Sequence, residues 1–204
     1  KMQLVGFSGN LGGSNIPTPS IYNAYEQGDV RRDKSIQMFN DPSNAAFQES
    51  KAFGGSMPFI KKYYHAPYIE DGRSNENWPI YRYAHVLLML AEAQNEVGSG
   101  DPLANLNIVR KRAGLKPLSG LAKDALRTAI ANEIRVEVAF ENHRWYQLLR
   151  TGKAIEVMTA HGAEEKKRLT RLSSASYNIQ PFKLLYPIPQ REVQINGIKQ
   201  NEGW

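Results

Sequence analysis

The clearest hydrophobic pattern in the chain lies in residues 129–151, AIANEIRVEVAFENHRWYQLLRT. At about 100° per residue, the aliphatic positions of this region and the turn before it share one arc of a helical wheel: Leu126, Ile130, Ile134 and Val138. Glu137 and Glu141 fall within the same arc, and Arg144, two turns after Glu137, lies at nearly the same angle on the wheel. The pattern therefore predicts a helix that carries acidic side chains on its apolar face.

Two carboxylates on an apolar helix face need a reason, because desolvating an unpaired charge is costly. The first interpretation is a structural charge network of Glu137, Glu141 and Arg144 that holds helices together. Further arginines are available to neutralise the acids: Arg82, Arg110, Arg135 and Arg150. The second is a glycosidase that uses Glu137 and Glu141, whose carboxyls could lie about 6 Å apart, near the separation that such enzymes use. We favour the structural interpretation, because two acids on one helix do not flank a sugar from opposite sides.

Neighbouring patterns predict more helices. Residues 80–98 repeat apolar residues at intervals of three and four and end at Gly98, which predicts a helix with a glycine stop. Asp101 and Pro102 then supply an N-cap and a proline at the first helical position, and this second helix closes at Gly114. A third helix starts near residues 121–123 and either continues or breaks at residues 141–143 into a fourth. The predicted fold is mainly α, with tetratricopeptide-like antiparallel helix pairs and long irregular loops.

The segments on either side of residues 80–152 lack such periodicity. Residues 1–79 are predicted to be loop-rich with short helices, and the mixed charges of residues 29–33 are interpreted as a solvated helix exit. Residues 153–204 are predicted to be a second loop-rich segment that packs on the helical core, with a solvated polar loop around the basic residues 166–168. We assign all three parts to one domain.

Composition narrows the classes of function. The 204 residues carry a net charge of +6 that is spread along the sequence, so we expect no nucleic-acid partner. The sequence contains no run of about 18 apolar residues, the length that would predict a membrane span. Cysteine is absent, the four histidines are scattered, and no phosphate-binding loop occurs, so neither a metal nor a cofactor is predicted.

Four blocks of sequence together resemble the C-terminal half of SusD/RagB-type proteins. In chain order they are IYRYAHVLLMLAEAQNEVG, LNIVRKRAGL, LRTAIANEIRVEVAFENHRWYQLLRTGKA and LYPIPQREVQINGIKQNEGW. The segment PTPSIYNAYEQGDVRRD resembles one that precedes these blocks in the family. Order and spacing match over residues 17–204, so the chain is identified as the C-terminal portion of a larger SusD-like protein.

This resemblance implies a function, a partner and a location. Proteins of this kind are lipoproteins on the surface of the bacterial outer membrane that bind an oligosaccharide or polysaccharide without catalysing a reaction. The partner that the resemblance implies is a SusC-like TonB-dependent transporter, which receives the glycan. Membrane contact would run only through a lipid anchor that lies outside this chain. The helix pairs by themselves leave open another function, a helical-repeat scaffold that binds a protein.

Candidate glycan-binding residues come from the aromatic stretch of residues 63–82. Sugar recognition needs flat aromatic faces that stack on C–H surfaces, together with polar groups that bond hydroxyls. The residues that offer this chemistry are Tyr63, Tyr64, Tyr68, Arg73 and Trp78. The alternative is that these aromatic side chains only cover the start of the helix that follows.

Overall fold

The computed structural model describes residues 16–40, 47–63 and 77–204. Within these ranges the chain is mainly α-helical, as predicted, and it forms nine α-helices, one 3-10 helix at Pro181–Leu184 and one two-stranded sheet. The helices are α1 Pro19–Tyr22, α2 Val30–Ser35, α3 Gln48–Lys51, α4 Tyr83–Val97, α5 Pro102–Arg112, α6 Lys123–Glu137, α7 Arg144–Arg150, α8 Ala154–Arg168 and α9 Gln190–Asn196. The strands are β1 Ile36–Phe39 and β2 Met57–Ile60.

The sheet is a short antiparallel pair that the sequence did not predict. β1 pairs with β2 so that Ile36 lies opposite Ile60. Ile36 and Met57 are buried, so both strands contribute side chains to the interior. Each strand has only four residues and β2 contains Pro58, so neither shows the alternation that marks a longer, half-buried strand.

The C-terminal end of α4 and both ends of α5 lie where the sequence signals predicted them, whereas α4 begins at Tyr83 and not at residue 80. Gly98 follows α4 in the left-handed conformation, with a φ of 69°, which glycine adopts without a steric penalty. Asp101 caps α5, because its carboxylate accepts a hydrogen bond of 2.9 Å from the Ala104 amide, and Pro102 is the first helical residue. After α5, Gly114 again takes a left-handed φ, of 80°. Local sequence therefore determines how this helix pair is connected.

α4, α5 and α6 enclose the main hydrophobic core. α4 packs against both of the other helices. The side chains with almost no access to water are Leu88, Leu106, Val109 and Ile130. Burying each such side chain is worth about 1.5–3 kcal/mol, so this core supplies much of the hydrophobic stabilisation of the three helices.

α6 ends at Glu137, which settles the alternative that the sequence left open. Residues 138–142 form a turn, and within it Phe140 (φ 67°) and Asn142 (φ 66°) both have left-handed backbones. Side-chain-bearing residues adopt this conformation at a cost, so contacts around the turn must hold it in place. The chain resumes as α7, which begins at Arg144.

The loop-rich prediction for the C-terminal part is wrong for residues 154–168, which form the 15-residue helix α8. The basic residues of the predicted polar loop belong to its last turn: Lys166, Lys167 and Arg168. Cations at that end interact favourably with the helix dipole. The buried residues of α8 are small or charged: Ala154, Gly162 and Glu165. Because α8 buries no large aliphatic residue, its sequence does not show the stripe by which helices are usually recognised.

The chain divides into two compact units, Lys1–Arg144 and Trp145–Trp204. The boundaries at residues 79 and 152, within one domain, rest on the periodicity of the sequence and stay a prediction. In the part of the chain that the structure describes, no helix has both the length and the apolar character needed to cross a membrane.

α4 carries a second apolar face, which is exposed. Its members are Tyr83, Val86, Leu90 and Val97, and we call them the α4 stripe. At about 100° per residue, all four point within an arc of about 60°. A contiguous exposed apolar surface of this kind is typical of a face that another helix or protein covers.

We expect the α4 stripe to associate when the chain is studied in isolation. Replacing Leu90 and Val97 together by glutamate should lower the binding of a hydrophobic dye and shift the mass measured by light scattering towards that of a monomer. The helix should persist, because both side chains are exposed. Ile108→Glu changes an exposed aliphatic residue on α5 and is the matched control, which should alter neither measurement. A parent chain that is strictly monomeric and binds no dye would contradict this expectation.

Candidate functional site

Three carboxylates lie along one face of α6 and the turn that follows it. Glu133, Glu137 and Glu141 are spaced four residues apart, and each is only 3% exposed. Carboxylates with so little access to water need cations to replace the lost hydration. With their partners they form a group that we call the charge cluster: Glu26, Asp29, Glu133, Glu137, Glu141, Arg31, Lys62, Arg82, Arg110 and Arg112.

Glu137 lies at the centre of the charge cluster and receives three arginines. Arg82 Nη1 lies 2.8 Å from Oε1, Arg31 Nη1 lies 2.9 Å from Oε2, and Arg112 Nη2 lies 2.6 Å from Oε1. Burial alone would raise the pKa of Glu137, but the hydrogen bonds from Arg82, Arg112 and Arg31 outweigh it and lower the pKa to about 2. Glu137 is therefore held as an anion throughout the neutral and mildly acidic range.

Glu133, one turn earlier on α6, has the opposite shift. Arg110 Nη1 donates to its Oε2 at 3.1 Å. Arg31 Nη1 lies 2.7 Å from its Oε1, yet that oxygen receives no well-directed hydrogen bond. Burial raises the pKa of Glu133, and the attraction of Arg31 and Arg110 only partly offsets this. Two equally buried acids thus differ because Glu137 accepts hydrogen bonds from three guanidinium groups, whereas Glu133 has two such groups as neighbours.

Glu141 connects the charge cluster to the end of α6. Arg82 Nε lies 3.0 Å from Oε2 and Arg82 Nη2 lies 2.6 Å from Oε1, while Lys62 Nζ forms a close ion pair with Oε1. The same two cations bond main-chain carbonyls: Lys62 donates to Glu137 O at 2.8 Å and to Ala139 O at 3.0 Å, and Arg82 donates to Glu137 O at 2.9 Å. They satisfy carbonyls that a helix end leaves without partners, which explains why the turn after α6 is held in place.

The charge cluster also includes a segment that the sequence analysis misjudged. Asp29 and Arg31 were interpreted as part of a solvated helix exit, but both are buried. Asp29 accepts a hydrogen bond of 2.9 Å from the Arg31 backbone amide, which caps α2, and it also holds the guanidinium at 2.9 Å and 2.6 Å. Held in this way, Arg31 reaches α6 more than a hundred residues along the chain. A local charge pattern could not reveal this, because its partners are distant in sequence.

The expected role of Arg144 needs correction. Glu137 and Glu141 do meet arginines, but among the described residues Arg144 is not one of their partners. Burial and the neighbouring charge of Arg135 lower the pKa of Arg144 to about 10, which is the reverse of what an ion pair with a carboxylate would do. Arg144 begins α7, which starts only after the turn that follows α6, so the three-residue helical spacing from Glu141 does not apply.

The charge cluster has equal numbers of acids and bases. Its five carboxylates face five cations, and only its margins, Glu26 and Arg112, have side chains that are more than half exposed. The oxygens of Glu137 and Glu141 are occupied by guanidinium and ammonium groups. The arrangement can hold α6 together with the four segments that supply the cations, but it does not present Glu137 or Glu141 to a substrate.

A second candidate site is aromatic. The rings of Tyr63 and Trp78 are stacked, with centroids 5.1 Å apart and planes 20° from parallel, and Trp78 is 57% exposed. The Tyr63 hydroxyl is buried and has no hydrogen-bond partner among the residues that the structure describes, and burial raises the pKa of Tyr63. The other three expected binding residues, Tyr64, Tyr68 and Arg73, lie outside the described residues. The structure therefore brings two of the five together as one half-open stacked pair.

A separate group of rings consists of Tyr81 and two histidines. The Tyr81 ring, on a residue that is 66% exposed, lies 6.0 Å from the His85 ring and 6.5 Å from the His143 ring. The two imidazoles are 4.7 Å apart and edge-on. Burial, with the charges of His143 and Arg82, lowers the pKa of His85, so this imidazole is neutral near pH 7. The sequence could not group these rings, because 58 residues separate the two histidines.

Comparison with known proteins finds one matching family and several similar proteins. A model of the SusD family matches residues 23–204. SusD-like protein P2 of Formosa agariphila is 33% identical over 168 residues, an alignment that covers 73% of this chain and 33% of that protein. SusD-like protein P25 of the same organism is 31% identical over 153 residues, covering 72% of this chain and 28% of the relative. The chain thus spans about a third of the length of these curated relatives.

Solved structures show the same fold. A SusD homolog of Bacteroides thetaiotaomicron has a TM-score of 0.69 and 28% identity, covering 87% of this chain and 41% of the homolog. Surface glycan-binding protein A of the same species, in complex with laminarihexaose, has a TM-score of 0.60 and 25% identity, covering 91% of this chain and 41% of the neighbour.

We expect Glu137 to be essential for stability. Replacing it by alanine leaves three arginines without their shared acid, and breaking a buried pair from one side typically costs about 3–5 kcal/mol. The melting temperature of Glu137→Ala should therefore fall by roughly 10 °C. Glu164→Ala removes one exposed partner on α8 and should cost less than about 1 kcal/mol. If the alanine variant does not fold, Glu137→Gln provides the same comparison. A Glu137 variant that melts like the parent would refute this assignment.

The lowered pKa of Glu137 also predicts an acid dependence of stability. Above about pH 4.5 the carboxylate is ionised in both states, and its contribution to the free energy of unfolding is fully present. As the pH falls from about 4.5 towards 2, the unfolded state takes up the proton first and this contribution is lost. Urea unfolding at pH 6, 4 and 3 should show a steeper loss in the parent than in Glu137→Gln. Equal slopes in the two proteins would contradict the prediction.

Proposed function

The chain belongs to the SusD family, and from this premise we propose that it is part of a non-catalytic protein that binds glycans at a bacterial cell surface. The observation that carries the proposal is the exposed Trp78 ring stacked on Tyr63, within a chain of this family. A solved neighbour of the same fold, at 25% identity, is a surface glycan-binding protein in complex with laminarihexaose. That neighbour supports the ligand class, a glycan, without naming the sugar for this chain.

The stacked pair has the chemistry of a sugar platform. A pyranose ring presents a face of C–H groups that packs on an aromatic face, while its hydroxyls need polar partners at the edge. Trp78 offers an open face, and Tyr63 supports the other side of its ring. We propose that Tyr64, Tyr68 and Arg73, which come from the same stretch of sequence, complete the site. Because Tyr63 already holds the indole, little conformational entropy would be lost on binding.

The geometry of the acids supports a binding role rather than hydrolysis. A glycosidase needs one carboxylic acid that protonates the leaving oxygen and a second carboxylate on the opposite side of the bond. Glu137 has a pKa of about 2 and is bonded to three arginines, so it is a poor proton donor at neutral pH. Glu141 is bonded to Arg82 and Lys62. We therefore assign both acids to the structural charge cluster.

Family membership extends the proposal to location and partner. We propose that the whole protein is a lipoprotein on the outer-membrane surface and delivers oligosaccharides to a SusC-like TonB-dependent transporter. The 204 residues contain no cysteine, so a lipidated cysteine would belong to another part of the protein. A role as a helical-repeat scaffold for a protein partner is the alternative that the test must separate from glycan binding.

Calorimetry of the full-length protein against a panel of plant, host and microbial glycans tests the proposal. When a glycan binds, stacking contacts and hydrogen bonds to its hydroxyls replace contacts with ordered water, so the net affinity is modest. We expect dissociation constants from micromolar to millimolar, which correspond to binding free energies of about −8 to −4 kcal/mol. Trp78→Ala should weaken binding by about tenfold, a change of about 1.4 kcal/mol. Tyr186→Ala removes a similarly exposed ring from the other unit and is the matched control, expected to bind as the parent does.

Two outcomes would contradict parts of this account. If no glycan of a broad panel binds, the proposed glycan-binding function is wrong, and the alternative of a scaffold for a protein partner is favoured. If glycans bind but Trp78→Ala binds as tightly as the parent, the function stands and the site assignment is wrong.

A further inference from the structure

A groove of about 260 Å³ lies beside α1, β1 and the end of α3. Its lining residues are Pro19, Tyr22, Asn23, Met38, Ala52 and Phe53, and we call it the Tyr22 groove. It shares no residue with the Tyr63–Trp78 pair. Neither the charge cluster nor the main hydrophobic core uses it.

The aromatic walls of the Tyr22 groove are fixed in orientation. The Tyr22 and Phe53 rings meet edge to face, with centroids 5.5 Å apart and planes 83° from parallel. The Arg32 guanidinium lies 5.0 Å over the Tyr22 ring, as a cation–π contact, and Arg32 is itself paired with Asp33 at 3.0 Å. Two perpendicular rings in contact, one of them also contacted by a guanidinium group, form a corner that can bind a flat or saturated ring with little loss of side-chain freedom.

A free polar group lies at the rim of this corner. Asn23 is exposed, and its backbone amide donates to Pro19 O at 2.9 Å as α1 ends. Within the described residues, its side-chain amide makes no hydrogen bond. An amide can both donate and accept, which is what vicinal sugar hydroxyls require. A purely aliphatic occupant would cover this amide without bonding it, and leaving a polar group unpaired costs about 1–3 kcal/mol.

The size of the groove suits one six-membered ring. An apolar cavity of about 150 Å³ is large enough to hold benzene. The Tyr22 groove, at about 260 Å³, leaves room for a saturated ring with its hydroxyls but is smaller than the usual pockets of drug-sized ligands, at about 300–1,000 Å³. Aromatic walls, an adjacent free amide and single-ring volume together describe a place for a monosaccharide unit.

We infer that the Tyr22 groove binds one pyranose ring of a glycan, as a second sugar position built separately from the Tyr63–Trp78 pair. The inference rests on the proposed glycan-binding function and deepens it. Two weak positions on one protein raise the overall affinity for a polysaccharide that reaches both, because the second contact becomes intramolecular. Each position alone is expected to hold a single sugar only weakly.

The experiment uses the full-length protein with ¹³C-labelled methionine methyl groups, because Met38 lines the groove. The Met38 signal is assigned by its loss in Met38→Leu. Titration with methyl β-glucopyranoside, methyl β-galactopyranoside and methyl β-xylopyranoside should shift this signal saturably for at least one of them. Trp78→Ala should leave that shift unchanged, since the two positions are separate.

A groove-filling variant and a matched control sharpen the result. Ala52 is exposed at the end of α3, so Ala52→Phe should fill the groove without disturbing the core and abolish the shift. Ala160→Phe places the same side chain at an exposed position of α8 and should leave the shift intact. Asn23→Leu, which removes only the rim amide, should weaken the shift by several-fold.

Other outcomes overturn the inference. If benzyl alcohol shifts the Met38 signal and no glycoside does, the groove is a slot for an apolar side chain. If no probe shifts it, while calorimetry shows that the protein binds an oligosaccharide, the proposed function stands and the second position does not exist. If Trp78→Ala also removes the Met38 shift, the two positions are not separate. Failure of every glycan in both experiments would refute the proposed function as well.

Discussion

Three carboxylates on α6 and the turn that follows it must be neutralised where water scarcely reaches, and the arrangement of the surrounding chain depends on that constraint. The cations come from four places: Arg31 on α2, Lys62 after β2, Arg82 before α4, and Arg110 and Arg112 on α5. Each of these four segments is therefore joined to α6 or to the turn after it by at least one ion pair. Because Lys62 and Arg82 also bond carbonyls at the end of α6, the same contacts determine where that helix stops.

Buried ion pairs of this kind give less net stability than their distances suggest. Desolvation consumes much of the attraction, as the raised pKa of Glu133 shows beside the lowered pKa of Glu137. Such a cluster fixes how the segments are aligned, because removing one member leaves its buried partners charged with one counter-charge fewer. The buried acids of the cluster are taken up in ion pairs and serve the structure. Aromatic rings such as Trp78 remain exposed to solvent and are available to a ligand.

The sequence was informative wherever a signal is local. Apolar spacing and the signals at Gly98, Asp101 and Gly114 predicted α4 and α5 and the turns that follow them, and the acids on the apolar arc predicted a charge network. The sequence did not predict contacts between residues that are far apart in the chain, or a helix that lacks an apolar stripe. Arg31 reached α6 across more than a hundred residues, and α8 buries only small or charged residues. The aromatic pair lay between the two cases: residue type suggested Tyr63 and Trp78, but only the fold shows that they stack.

A double-mutant cycle between Arg31 and Glu137 tests the central claim most directly, that the charge cluster is a cooperative structural unit. The free energies of unfolding are measured by urea denaturation for the parent, Arg31→Met, Glu137→Met and the double variant. Because each single change leaves a buried charge without one of its counter-charges, the double variant should be more stable than the sum of the single losses predicts, by about 1–3 kcal/mol. Losses that add within about 0.5 kcal/mol would mean that the two residues act independently, and would contradict the claim.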